Sequence, residues 1–331
     1  MNEGIRLLDI ALVVIGRNEG DRLKRCLESA IPQVNDVVYV DSGSTDGSLE
    51  LAAQFGARIL ALDLTRPFTA ARARNAGAAL VAQGEHLTRY IQFVDGDCEL
   101  VSGWLAEARE FLESHPEVVA VCGRRRERFP ELSVYNRMCD LEWDTPVGQA
   151  RAFGGDVMIR SAAFQNVGGY RADLIAGEDP ELAIRLRQAG GQVWRIDTDM
   201  TLHDAAMTRF SQWWRRSVRA GYAYALGASI HGAPPERHWV RESRRSWIWG
   251  FVIPTLGFMG ALMGYFYLVP AVIFLFLTQW LRIFVNCRGG PSLRLASATF
   301  LVIGKFAEFT GQVRFLWHRI VHRKSRLIEY K

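Results

Sequence analysis

The sequence predicts an α/β protein: a mostly parallel, doubly wound sheet, then a helical, membrane-associated C-terminal region with a two-helix transmembrane hairpin. Three observations carry this. Short apolar, β-branched runs alternate with helix-period segments through residues 10–94. From Ser246 to Leu281, 36 residues pass without one Asp, Glu, Lys or Arg. The charge also divides: residues 1–206 hold 22 Lys+Arg against 31 Asp+Glu, and residues 207–331 hold 18 against 4. An acidic first part and a basic last part point to two environments, and a basic tail suits nucleic acid or an anionic membrane surface.

The elements follow in order. Ile10–Ile15 is a short β-branched run ended by Gly16, the pattern of a buried strand. Asp21–Ile31 sets Leu23, Leu27, Ala30 and Ile31 at helical spacing, and Pro32 stops it. Val37–Val40 is a second strand, ending at Asp41-Ser42-Gly43-Ser44. Thr45–Phe55 reads as a helix, Ala57–Leu62 as a strand and the alanine-rich Ala70–Ala82 as a helix. Tyr90–Val94 is a strand that runs into Asp95-Gly96-Asp97. Alternation with short connections implies parallel pairing, and such sheets bind ligands beyond the carboxyl ends of their strands. Asp41 and Asp95/Asp97 fall at those ends.

The uncharged run decides what the basic tail meets. One helix of 36 residues would be about 54 Å long, against a hydrocarbon core of roughly 30 Å. Two passages of about 17 residues fit, with the turn near Gly264-Tyr265-Phe266-Tyr267. Arg241, Arg244 and Arg245 precede the run and Arg282, Arg288 and Arg294 follow it, which puts both ends of a hairpin in the cytoplasm. A buried helix pair in a soluble core is the competing explanation. Residues 295–317 are apolar but broken by Lys305, Glu308 and Arg314, and a third crossing would carry the basic end His318–Lys324 outside. This stretch is expected to lie at the interface, or to be a buried re-entrant helix. Phe210–Ser229 mixes Trp213, Trp214, Tyr222 and Tyr224 with Arg215, Arg216 and Arg219, which suits a headgroup layer; beside a transmembrane hairpin, nucleic-acid binding is not expected. Ile10–Ile15 is too short for a secretory signal. The expected division is 1–206 catalytic, 207–245 interfacial helices, 246–286 hairpin and 287–331 a basic C-terminal helix.

Composition narrows the classes further. Hydrophobic residues make up 49% and charged residues 23%, which excludes disordered and collagen-like chains. The five cysteines are scattered without a CxxC pair, so a disulfide framework and a zinc ribbon are not expected, and a reducing compartment is.

The carboxylates carry the chemistry. Asp95 and Asp97, two residues apart after a buried strand, are too close for both to ionise cheaply. A divalent cation relieves that repulsion, and hard oxygen ligands favour Mg²⁺ or Mn²⁺, which would stabilise a diphosphate leaving group. A bare DxD is common by chance. Glu178-Asp179 followed by Pro180 also suits a helix start, because acids favour the first turn and Pro fits its first position.

The context is more specific. Val37–Ser48 reads VVYVDSGSTDGS, Ala71–Gly77 reads ARARNAG and Phe93–Asp97 reads FVDGD; Phe153–Tyr170 reads FGGDVMIRSAAFQNVGGY, Gly177–Leu186 reads GEDPELAIRL, and His203 follows a strand-like segment. In this order the set resembles glycosyltransferase family 2, inverting enzymes with the Rossmann-like GT-A fold, over roughly residues 8–230. The hairpin resembles that of membrane-bound members acting on lipid-linked or cell-surface glycans. The resemblance implies that Asp41 contacts the base or ribose of a nucleotide-sugar; Ser42 stands where a second acid is usual, which leaves the base open, with a UDP-sugar the default. It implies that Asp95 and Asp97 hold a metal-bound diphosphate, with Asp97 the more direct ligand, and that His203 closes the metal shell. Asp179 matches the general base that takes the acceptor hydroxyl proton. Gly155 lets backbone approach a ligand, and Glu178 adjoins the donor site. Arg74 pairs with phosphate or holds Asp95. Asp156 stands where the family often has Asn.

Gln212-Trp213-Trp214-Arg215-Arg216 resembles the QxxRW motif of processive synthases, with Arg216 in place of the last Trp, so transfer of single sugars is expected. The expected partners are a nucleotide-sugar donor, a lipid-linked or glycan acceptor and membrane lipid. The expected location is the inner (cytoplasmic) membrane, multi-pass, with the catalytic domain cytoplasmic. A nucleotidyltransferase of related fold, or a catalytically silent scaffold in glycan assembly, is the alternative.

Overall fold

The computed structural model describes residues 7–84 and 87–321. They divide into two units: residues 1–129 with 142–205, and residues 130–141 with 206–331. The last part of the basic end His318–Lys324, beyond residue 321, lies outside the described residues.

The first unit is built on one sheet. In chain order it comprises β1 (Leu7–Gly16), α1 (Asp21–Ala30), β2 (Val34–Asp41), α2 (Ser48–Gln54), β3 (Arg58–Ala61), α3 (Ala70–Val81), β4 (Tyr90–Asp95) and β5 (Cys98–Leu100). Then come α4 (Trp104–Ser114), β6 (Val118–Glu127), the end of α5 (Val134–Trp143), β7 (Gly148–Gln149), β8 (Val157–Arg160), α6 (Ser161–Asn166), α7 (Glu178–Gln188) and β9 (Gln192–His203). The strand order is β3-β2-β1-β4-β8-β6-β9-β5, with β7 also on β9.

The expected parallel half is present: β1 pairs in parallel with β2 and β4, and β2 with β3. Ile10–Val14, Val37–Val40 and Tyr90–Val94 are buried, as strands covered on both faces must be. The other half differs from the expected mostly parallel sheet. β8 runs antiparallel to β4 and β6, and β5 antiparallel to β9; β6 and β9 are parallel. Chain length explains this. Only Gly96 and Asp97 separate β4 from β5, far too few for a parallel crossover, which needs a dozen or more residues. β8 starts beside the end of β4, Val157 against Phe93, and so runs back along it.

The register aligns the carboxyl ends of the parallel strands. Gly16 faces Asp41 across β1–β2, Asp41 faces Ala61 across β2–β3, and Ile15 faces Asp95 across β1–β4. Asp41 and Asp95 therefore flank the end of β1.

The second unit is helical: most of α5, α8 (Phe210–His231), α9 (Val240–Trp247), a π-helical turn Ile248–Val252, α10 (Ile253–Leu262), α11 (Leu268–Asn286) and α12 (Pro291–Ile320). α8 crosses α12 backbone to backbone. A Cβ on Gly221 would fall on the Glu308 backbone, and one on Gly311 on the Val218 backbone. Trp213 and Tyr222 are buried within this unit rather than presented at its surface. Lys305 and Glu308, the charges that interrupt the last apolar stretch, pair with each other at 2.7 Å. Ser246 donates to Glu308, and Ser243 donates to Gln312 at 2.7 Å, so the polar groups of α12 are answered by α9.

α10 and α11 form a helical hairpin turning at residues 263–267, where Gly264 has φ +85°. Gly257 brings α10 against Val272, and Gly260 brings it against Leu268. Among the described residues, α11 is the one helix long and apolar enough to cross a membrane by length and composition, and none of that stretch is buried. α10 alone is ten residues long, extended backwards through the π turn and α9.

Candidate active site

The alanine-rich α3 places the residue at the centre. Ala71, Ala73 and Ala78 are buried against the sheet, and Gly77 lets the helix approach Val13 and Val40. That close packing buries Arg74 to 2% exposure. A buried guanidinium must be paired. Its Nη2 donates to Asp95 Oδ1 at 2.8 Å, and its Nη1 to Glu178 Oε1 and Asp179 Oδ1, each at 3.1 Å. The Tyr170 ring lies 5.3 Å from the guanidinium. Asn75 fixes that tyrosine, accepting from its N–H at 2.8 Å and donating to its carbonyl at 2.7 Å. The ARARNAG motif thus ties α3 to the end of β4 and the start of α7.

A second arginine completes the cluster. Arg125 on β6 reaches Asp95 Oδ2 at 3.3 Å and Asp156 Oδ2 at 2.7 Å. Asp156 is fully buried; it accepts from the Asp95 N–H at 3.1 Å and from the Thr201 hydroxyl at 2.7 Å. Gly155 is required here for space: a Cβ would lie 2.5 Å from Asp95 Oδ2 and 2.8 Å from Arg74 Nη2. Glu178 and Asp179 open α7 behind Gly177, whose φ of +81° ends the preceding turn. They are therefore both first-turn acids and partners of Arg74.

Burial alone would raise the Asp95 carboxyl, but Arg74 and Arg125 outweigh it and hold it well below the usual carboxylate range. Asp179 goes the other way. Burial pushes it up to about 7; Arg74 opposes the rise, while Glu178 and Asp95 add to it. Two carboxylates on one guanidinium are thus poised oppositely, the pattern that assigns acid–base roles in a site.

Asp97 and His203 form a separate pair. His203, at the end of β9, is set opposite Cys98 by the β5–β9 register. Its Nε2 lies 3.4 Å from Asp97 Oδ2. Donor atoms of Asp97, Cys98 and His203 all lie within 4.8 Å of one another. His203 Nδ1 is a buried nitrogen with no hydrogen-bond partner among the described residues, 3.9 Å from Glu127 Oε2. A carboxylate and an imidazole this close suit a divalent cation, with Mn²⁺ accepting the nitrogen more readily than Mg²⁺. Asp95, expected to share that ion, directs its two oxygens to Arg74 and Arg125.

Asp41 lies outside this cluster. Its Oδ2 accepts from the N–H groups of Gly43 at 2.8 Å and Ser44 at 2.9 Å, and the Tyr39 hydroxyl donates to Oδ1 at 3.1 Å. It shapes the turn after β2. Asn18 and Asp46 tie that turn to the end of β1: Asn18 accepts from the Thr45 N–H, and Asp46 from the Gly20 N–H.

Sequence reading missed three residues. Arg125 sits in the run Arg124-Arg125-Arg126, which resembles a solvated surface; a period-2 reading of β6 was the available signal. Glu127, on the same strand, accepts from the N–H groups of Phe129 and Ala205 and backs His203. Trp143 stands edge-on to the His203 ring at 4.7 Å, and its ring is 5.7 Å from the Arg125 guanidinium.

Residues 11–164 match the model of glycosyl transferase family 2, and residues 138–209 match one described as the N-terminal domain of galactosyltransferase. The succinoglycan biosynthesis protein ExoA of Rhizobium meliloti is 28% identical over 208 residues, covering 59% of this chain and 63% of its own length. A TPR repeat-containing protein of Synechococcus elongatus is 32% identical over 143 residues, covering 43% of this chain and 34% of its own length. The chain thus spans less than two thirds of either relative. A mannosyltransferase from Pyrobaculum calidifontis, solved with GDP-Man and Mn²⁺, is similar in fold, with a TM-score of 0.60 at 16% identity over 94% of this chain and 88% of that one.

Proposed function

We propose that the chain, whose residues 11–164 match the model of glycosyl transferase family 2, transfers a single sugar, with inversion, from a nucleotide-diphosphate sugar to a hydroxyl of a lipid-linked or exopolysaccharide-type glycan. The observation that carries the reading is Arg74, which ties Asp179 to Asp95 two residues from the Asp97–His203 pair. The raised Asp179 carboxyl supports its reading as a base acting beside a charged leaving group. The succinoglycan role in the name of one relative, and the GDP-Man and Mn²⁺ of the structural one, agree with it.

In the proposed reaction the acceptor hydroxyl oxygen forms a bond to the anomeric carbon. The bond from that carbon to the diphosphate oxygen breaks, and its electron pair leaves with the nucleoside diphosphate. Asp179 takes the hydroxyl proton. Arg74 orients it, with Glu178 as the second carboxylate on the same guanidinium. Asp97 and His203 would hold Mn²⁺ or Mg²⁺, which when bound neutralises charge on the departing diphosphate. Gly155 keeps the Asp95 face open to the donor, and the turn built on Asp41 borders the nucleotide. A UDP-sugar is the first donor to test.

The deciding experiment incubates the full chain with a panel of nucleotide-sugars, with Mn²⁺, Mg²⁺ or EDTA. Release of nucleoside diphosphate and an inverted glycosidic product are expected. Release of sugar 1-phosphate instead would make it a nucleotidyltransferase, and no turnover with any donor would leave a scaffold. The pH profile has a stated sign. Asp179 accepts a proton only when ionised, so kcat should rise with pH through a midpoint near 7 and level off above it. A rate that falls across pH 6–8 would remove Asp179 as the base.

The α10–α11 hairpin, entered through α9 and the π turn, is proposed to anchor the chain in the inner membrane as two passages, with residues 1–206 on the cytoplasmic side beside the soluble donor. Exposed Phe258, Leu262, Phe266, Phe274 and Leu277 support it. The full chain should resist extraction by high salt and carbonate and require detergent. Truncation after Arg209 should leave only weak attachment, about 1 kcal/mol per basic residue near an anionic surface. Release of the full chain by salt alone would overturn the anchor.

A further inference from the structure

A cavity of 230 Å³ opens in the helical unit between α9 with its π-helical continuation, α11 and α12. Trp249, Phe276 and Ile283 are among its apolar walls, and Arg245, Gln279 and Lys305 are its polar groups. The two charged groups are both cations. Lys305 is paired with Glu308, which does not line the cavity. Arg245 is exposed at the end of α9, with no acidic partner among the described residues.

The level of the cavity along the hairpin is fixed by sequence. Arg245 lies just before the uncharged run, and Ile283 is three residues from the end of α11, so both sit at the end flanked by arginines. By the charge rule that end is cytoplasmic. A cation at that boundary attracts the anionic headgroups of the cytoplasmic leaflet. The chain supplies one acid for the two cations, so one positive charge remains to be answered from outside. A free inorganic anion would leave the aromatic wall without use, and a lipid of zero net charge would leave the remaining cation unanswered. Basic pockets between membrane helices on the cytoplasmic side hold anionic headgroups.

We propose that this cavity binds the phosphate headgroup of an anionic lipid from the cytoplasmic leaflet, with Arg245 and Lys305 at the phosphate and Trp249, Phe276 and Ile283 along the start of its chain. The inference rests on the hairpin reading above.

The test uses the full chain purified in a neutral detergent. Phosphatidylglycerol, phosphatidylcholine and inorganic phosphate are titrated separately while thermal unfolding is followed. Phosphatidylglycerol should raise the melting temperature saturably; the other two should not. Arg245→Gln should weaken the apparent affinity for phosphatidylglycerol about tenfold, the loss of one charge-assisted contact, and Arg245→Lys should retain most of it. Arg245 is chosen because Lys305→Gln would strand Glu308 inside the helix packing. Equal responses to the two lipids, saturation by inorganic phosphate alone, or an Arg245→Gln variant indistinguishable from the parent would overturn the site. A chain that stays with membranes in carbonate but gives a flat phosphatidylglycerol titration loses this site and keeps its anchor; release by carbonate removes both.

Discussion

Asp179→Asn should lower kcat by about 10²–10⁴-fold, the usual worth of a positioned general base, with donor KM little changed. The substitution isolates the proton. An asparagine oxygen can still accept from Arg74 Nη1, as the Asp179 carboxylate does at 3.1 Å, so α7 stays docked and the acid cluster keeps its shape. What is lost is the ability to take a proton from the acceptor hydroxyl. The pH limb near 7 should vanish from the residual rate, because the group that titrates there is gone. Glu178→Gln, on the same guanidinium, should be milder. Steady-state kinetics in both substrates decide this: turnover of Asp179→Asn within a few-fold of the parent would leave Asp179 as a helix-start acid and no more.

Asp97→Ala should be comparably severe for a different reason. It removes the oxygen donor of the Asp97–His203 pair, and with it the neutralisation of the departing diphosphate, worth several kcal/mol, or on the order of 10²–10³-fold in rate. Higher Mn²⁺ should recover little, since His203 and Cys98 alone make a poor site for a hard cation. Dialysis against EDTA should reproduce the loss in the parent enzyme, and Mn²⁺ should restore it more fully than Mg²⁺. Full activity of the EDTA-treated enzyme would remove the metal from the mechanism.

Much of the first unit was legible because its physics is local. β1, β2 and β4 carry the short apolar runs Ile10–Ile15, Val37–Val40 and Tyr90–Val94, the last broken by Gln92 alone, as strands buried on both faces do, and α1 and α3 carry helical spacing. The second half of the sheet was not, because its strands are defined by partners. β5 is three residues long and exists through its pairing with β9; β8 takes its direction from where the chain re-enters. The site divides in the same way. Asp95, Asp97, Gly155, Asp179 and His203 could be picked out as a motif set. A period-2 reading separates Arg125 from its arginine neighbours but does not name its partners, because the antiparallel β8 is what brings Asp156 and Asp95 within its reach. For Arg74 the sequence leaves two options, phosphate or Asp95; its three carboxylate partners are 21, 104 and 105 residues away, distances that no local pattern encodes. In the helical unit the charges at Lys305 and Glu308 marked a break in the apolar stretch, but their mutual pairing depends on helical geometry that places residues three apart side by side.

Those long separations bear on how the domain folds and opens. Until β4 and α7 have both docked, the guanidinium of Arg74 would sit in the interior with part of its counter-charge missing. An uncompensated buried charge costs about 3–5 kcal/mol. Intermediates in which α3 has packed on the sheet while α7 is still loose are therefore disfavoured, and so is local fraying of α7 from the native state. Arg74, Asp95, Glu178 and Asp179 are thereby tied together across α3, β4 and α7, and the acid cluster is complete only when all three elements have docked.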